Sequence, residues 1–189
     1  VRLDYVENVY IDEIMLNADP SGKVDIKAQF NNCTGKETEL KLNAELSAFE
    51  STNYKNPAKI KAENIELGKK LIPAGKSMQE FSFNVKNPAL WTPDSPALYL
   101  LQIKADGKQR GLARFGFRKM EIKGKDFVLN GHPLSIIGTN PGARWVWNQR
   151  ILADNKADWL RTSLKIYKDW NLNLIRTNNG PNSDIFYDI

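Results

Sequence analysis

Few side chains in this sequence could do chemistry. Its 189 residues include one histidine and one cysteine. His132 directly follows Asn130-Gly131, a two-residue hairpin signal, which gives it a solvent-exposed turn rather than a catalytic post. Cys33 has no second cysteine to pair with and cannot build a multi-cysteine metal site. Asn32-Cys33-Thr34 has the form of a glycosylation sequon, but three residues in a polar stretch read more simply as a plain turn. Two carboxylate pairs, Asp154/Asp158 and Asp184/Asp188, stand at i,i+4. At helix N-termini such residues cap and complement the dipole, and no third group supports a catalytic dyad. No cluster has metal-ligand spacing and no glycine-rich loop cradles phosphate, so neither a metal nor a cofactor is expected. Arg176, Asn140, Trp145 and Trp147 remain, all in the last third of the chain. Their value depends on the elements that hold them.

Most of the chain before them reads as short strands. Val24, Ile26, Ala28 and Phe30 alternate with Lys23, Asp25, Lys27 and Gln29, a period of two with one face buried and one wet. Leu40, Leu42, Ala44, Leu46 and Ala48 repeat that pattern. Further strands are expected over Val9 to Leu16, over Ile60 to Leu67, around Phe81 to Val85, from Tyr99 to Ala105, and up to Phe115 and Phe117. Turns punctuate them at Asp19-Pro20-Ser21-Gly22, Pro73-Ala74-Gly75 and Asp106-Gly107. About seven antiparallel strands with near-regular turns predict an immunoglobulin-like β-sandwich over residues 1–117.

The pattern changes near the end. Leu134 to Gly138 predicts a strand, Asp154 to Trp170 a helix with an apolar stripe through Trp159, Ile166 and Trp170, and Leu172 to Thr177 a second strand. That order is a βαβ unit, which wants a parallel sheet. The expected architecture is therefore mainly β: an antiparallel sandwich followed, over 118–189, by a linker hairpin and an incomplete β/α segment. Asn140 and Arg176 fall at the C-terminal ends of its strands, where a β/α barrel, if these strands open one, places its chemistry.

Composition excludes several classes. At 41% hydrophobic and 26% charged, the chain is ordinary globular material rather than a disordered or fibrous one. The net charge of +5 comes from lysines scattered along alternating strands. That is a solvated face, and no nucleic-acid partner is expected. No apolar run approaches the roughly 20 residues of a membrane span. Val1-Arg2-Leu3-Asp4-Tyr5 shows neither an initiator Met nor a signal-peptide pattern, as an excised or processed segment would, which leaves localisation open.

Several stretches then resemble one family, glycoside hydrolase family 2, the β-galactosidase, β-glucuronidase and β-mannosidase group. "NPALWTPDSPALYLLQI" (Asn87 to Ile103) is similar to the family's Trp-x-Pro…Pro-x-Leu-Tyr segment. "RFGFRKMEIKGKDFVLNGHPLSIIGTN" (Arg114 to Asn140) carries Phe-Gly-Phe-Arg, Asn-Gly-x-Pro and Gly-x-Asn in order. "NLNLIRT" (Asn171 to Thr177) is similar to its Asn-x-Asn-x-x-Arg-Thr strand.

The resemblance implies a longer parent with a sugar-binding jelly roll, this sandwich and a TIM barrel. It implies a retaining mechanism on β-linked sugars, with two Glu about 5 Å apart. Both lie on later barrel strands in the family, so this chain holds no catalytic residue and is expected to be inactive alone. The matching Arg in the family sits beside the nucleophile carboxylate, which makes Arg176 a substrate-pocket candidate. Asn140 is a pocket-rim candidate or a turn residue. Trp145 and Trp147 either stack on a sugar ring or pack between domains. Many members carry a His after Gly-x-Asn and another after Arg-Thr-x. Pro141, Gly142, Asn178 and Asn179 stand here instead, so the sugar is left open. The expected partner is a carbohydrate substrate in the parent, with self-association through the incomplete barrel. The alternative from another class is a non-catalytic sandwich that binds carbohydrate or protein.

Overall fold

A computed structural model describes residues 5–51, 54–140 and 158–176. The chain forms two compact units: Val1–Glu50 with Asn56–Lys119, and Ser51–Lys55 with Met120–Ile189.

The first unit holds strands β1 (Val9–Ala18), β2 (Lys23–Asn32), β3 (Thr38–Ala48), β4 (Glu63–Ile72), β5 (Gly75–Asn84), β6 (Tyr99–Ala105) and β7 (Lys108–Phe115). They make two antiparallel sheets, ordered β1-β2-β5 and β4-β3-β6-β7. This is an immunoglobulin-like sandwich in which the fourth strand joins the sheet of the third rather than that of the fifth. The alternation explains the packing. Val24, Ile26, Ala28 and Phe30 are buried from one sheet; Leu42, Ala44, Leu46, Leu101 and Ile103 from the other. The intervening positions reach water and pair across strands, Lys27 with Glu80 at 2.9 Å, Lys69 with Glu39 at 2.8 Å, and Lys104 with Glu45. Exposed pairs of this kind add little stability, but they keep the outer faces wet.

Two strands differ from their sequence reading. β4 lies at Glu63–Ile72 rather than Ile60–Leu67. Its ladder with β3 shifts register between Leu42 and Asn43, where Leu67-Gly68 bulges and Gly68 takes φ +83°. The bulge interrupts the alternation, and the strand continues beyond it. β5 starts at Gly75, six residues before its first buried apolar side chain, Phe81. Ser77 and Gln79 stand opposite the inward-facing Phe30 and Ala28, so polar residues occupy inward positions and leave this half of β5 without an apolar alternation.

The second unit begins with a three-stranded antiparallel sheet of β8 (Met120–Lys123), β9 (Asp126–Leu129) and β10 (His132–Pro133). Asn130 and Gly131 join β9 to β10 at φ +52° and +84°. Positive φ at both central positions defines the primed turn that Asn-Gly favours. The hairpin extends through Pro133, and the Leu134 amide still donates to the Phe127 carbonyl at 2.8 Å. The strand expected from Leu134 is therefore shorter and later: β11 is Gly138–Thr139. Helix α1 (Asp158–Asp169) and β12 (Leu174–Ile175) follow, and β11 pairs with β12 in parallel. Within α1, Leu160 is buried, whereas Ile166 and, just beyond the helix, Trp170 are exposed. The expected helical residues 154–157 lie outside the described residues, and no described helix is long and apolar enough to cross a membrane.

Candidate functional site at the ends of a parallel strand pair

The sequence Asn171-Leu172-Asn173 divides its labour. Asn171 ends α1 in the left-handed conformation, at φ +65°. Its amide donates to Lys168 O at 2.9 Å, and the Leu172 amide to Tyr167 O at 3.0 Å. These two bonds make a Schellman cap, with asparagine where glycine is the commoner choice. Asn173 then faces the segment just before β11. Its Nδ2 donates to Ser135 O at 2.8 Å, and its Oδ1 accepts from the Ile137 amide at 3.0 Å.

Beyond Asn173 the ladder takes over. Gly138 stands opposite Leu174 and Thr139 opposite Ile175. A Cβ at Gly138 would lie 2.9 Å from Leu174 Cδ2 and 3.2 Å from Leu174 O, so the backbones approach closely here and a larger residue would push Leu174 aside. The Arg176 amide donates to Thr139 O at 2.9 Å. In a parallel ladder that bond belongs to the pair one step further on, Asn140 opposite Arg176. Paired residues of adjacent strands point to the same face, and both residues are exposed. Two of the four sequence candidates thus come together at one strand end. Trp145 and Trp147 lie outside the described residues.

Other candidates resolve simply. His132 is exposed in β10, and Cys33 is exposed and unpaired with any cysteine. Among the described residues no group of His, Cys, Asp and Glu could hold a metal. Asn32, the sequon residue, is buried. Its Nδ2 donates to Lys36 O at 2.8 Å and Ile72 O at 2.9 Å, while its Oδ1 accepts from the Thr34 amide at 3.0 Å.

In the sandwich unit, the stretches that carried the family resemblance pack on one another. The Trp91 amide donates to Phe117 O at 2.9 Å, and Leu90 bridges Phe117. Arg118 lies over the Trp91 ring at 4.7 Å. Tyr99 packs against Phe115 and Phe117, with ring centroids 5.5 and 4.9 Å away. Its hydroxyl accepts from the Ala89 amide at 2.8 Å. A tyrosine opening the sixth strand and bonded back to upstream backbone is the tyrosine corner of immunoglobulin-like domains. By sequence, Trp91, Tyr99, Phe115 and Phe117 read as sandwich core or interdomain packing; the contact of Trp91 with Gly116 has no local sequence signal.

The model for glycosyl hydrolases family 2 matches residues 5–118, more than half of the chain. The chain belongs to glycosyl hydrolases family 2. The resemblance read from Trp91 and from Phe115 to Arg118, which lie within the matched residues, is borne out. A β-galactosidase from Staphylococcus xylosus is 30% identical over 112 residues, covering 59% of this chain and 11% of that protein. A β-galactosidase from Pectobacterium atrosepticum is 25% identical over 202 aligned residues, covering 99% of this chain and 18% of its own length. Among solved structures, a β-D-mannosidase from Dictyoglomus thermophilum matches 98% of this chain and 23% of its own, with a TM-score of 0.70 at 20% identity. At that identity the likeness is one of fold. This family 2 chain therefore spans only a minor part of each relative's length.

Proposed function

We propose that this chain is the immunoglobulin-like domain (1–117), linker hairpin and barrel opening (118–189) of a longer glycosidase that cleaves β-linked sugars with retention. The acid/base and nucleophile carboxylates then belong to parts of the protein outside these residues, and the sandwich is structural. The observation that carries this reading is the parallel β11–β12 pair, with α1 between its strands, following a family 2 sandwich. A helix-linked parallel pair is the repeating unit of a (β/α)8 barrel, whose active sites sit at C-terminal strand ends.

Within this reading Arg176 borders the nucleophile carboxylate and holds it ionised by charge-assisted hydrogen bonds. Asn140 is its neighbour at the pocket rim. Trp145 and Trp147, on the stretch after Asn140, supply flat faces for a pyranose. The β-galactosidases and the β-D-mannosidase among the relatives support a β-linked sugar without choosing one.

The test is a longer protein, extended on both sides, assayed on aryl β-glycosides with the present chain as control. Hydrolysis by the longer form alone, with the β-anomer released first, supports the reading. Inactivity on every β-glycoside would favour a non-catalytic binding module.

A further inference from the structure

Among the described residues, the β11–β12 ladder is short: Gly138 pairs with Leu174 and Thr139 with Ile175. Two pairs specify a register weakly, yet a slip of one residue would turn every following side chain to the opposite face. Residues 134–137 belong to no strand. Something other than a regular ladder must bring them into line with β12.

Asn173 makes that connection. In a parallel ladder, a residue on one strand bonds through its N–H and C=O to the two peptide groups flanking one residue of the neighbour. The side chain of Asn173 does this around Ile136: Nδ2 donates to Ser135 O, and Oδ1 accepts from the Ile137 amide. A side-chain amide carries the same donor and acceptor as a peptide, so it supplies the rung that the backbone lacks. The backbone amide of Asn173 also donates to Ile137 O at 2.9 Å. Three bonds from one residue therefore fix the chain immediately before β11. Three residues further along each strand, the Arg176 amide meets Thr139 O and sets Arg176 opposite Asn140.

We propose that Asn173 is a positioning residue: its side-chain amide replaces a missing ladder rung and fixes the register that sets Arg176 beside Asn140. It touches no substrate. The kinetic part of its role rests on the glycosidase reading above; the structural part does not.

The test is Asn173→Asp in the longer protein. Aspartate has almost the same shape and keeps the acceptor, but when ionised it cannot donate to Ser135 O and sets a charge against it. Hydrogen–deuterium exchange is followed in peptides covering 134–140 and 171–176, with peptides from β2 and β6 as internal controls. Exchange in the first two should speed by tenfold or more while the controls hold. In the same protein kcat should fall at least tenfold with KM changed less than threefold. Asn173→Ser, too short to span both bonds, should behave alike. Unchanged exchange at 134–140 would overturn the proposal, as would a loss of kcat without faster exchange. If the unaltered longer protein hydrolyses no β-glycoside, the glycosidase reading fails, and the exchange result still decides the role of Asn173.

Discussion

Gly116 lies directly against Trp91: a Cβ placed at residue 116 would stand 2.8 Å from Trp91 Cβ and 3.1 Å from the Ala97 carbonyl oxygen. Both neighbours are close to the main chain, and neither can swing away. Gly116→Ala should therefore destabilise the sandwich by about 1–3 kcal/mol through overpacking. A thermal melt should register a drop of several degrees. An unchanged melting temperature would mean that the long connection holding Trp91 gives way without cost.

Tyr99→Phe removes the acceptor of the Ala89 amide but keeps the ring against Phe115 and Phe117. The cost should be about 1–2 kcal/mol, measured by denaturant unfolding at neutral pH. The difference should depend on pH. Burial pushes the Tyr99 phenol above its ordinary value of 10.0, outweighing the opposing effect of the Ala89 hydrogen bond. The native state thus holds this proton more tightly than the unfolded chain. Its contribution is present in full below pH 10 and is lost as pH rises through the folded-state value. The Phe variant should lack this component of alkaline destabilisation, and parallel pH curves would count against the burial of the hydroxyl.

At the other end of the pH scale, Asp19 accepts from the Ser21 amide at 2.9 Å, which draws its carboxyl below the usual 3.8. Its contribution should be present above that value and fade as pH falls through the lower folded-state one. An NMR titration of the Asp19 carboxyl should show a midpoint below that of a free aspartate, and Asp19→Asn should erase this part of the acid response.

Much of the sandwich was legible because its strands are half buried. Val24 to Phe30 and Leu40 to Leu46 alternate as a two-faced sheet must, and Asn130-Gly131 names its own turn. Legibility failed where a side chain does a backbone's work or a backbone fills a side chain's place. The bulge at Gly68 shifts the phase of β4, and Ser77 and Gln79 put polar atoms on the inward side of β5. At the candidate site, Arg176 and Asn140 stood out by type and position. Asn173 stood in the Asn-x-Asn-x-x-Arg-Thr motif without a role, because that role lies in two hydrogen bonds to residues 36 and 38 positions away, which the motif does not record.

Arg176→Ala, made in the longer protein, should lower kcat by roughly 100-fold or more, the scale seen when a preorganised electrostatic partner is removed. The melting temperature should hold, since the side chain is exposed. Turnover within threefold of the parent would remove Arg176 from the pocket.

The chain on its own leaves Ile137, Ile166, Trp170 and Leu174 exposed. Apolar surface of this kind drives association. Sedimentation of the isolated 189 residues should show concentration-dependent oligomers. A monodisperse monomer at every concentration would count against the expected self-association.

The burial of Asn32 makes its sequon a clock. An oligosaccharide-transferring enzyme must reach the Nδ2 atom, and in the folded sandwich that atom is turned inward onto the carbonyls of Lys36 and Ile72. A sugar at Asn32 could be attached only before β2, β3 and β4 come together, and it would then bar them from doing so. In a host that glycosylates such sequons, the modified fraction would count chains that met the enzyme before they folded, and those chains would be the ones unable to build the sandwich.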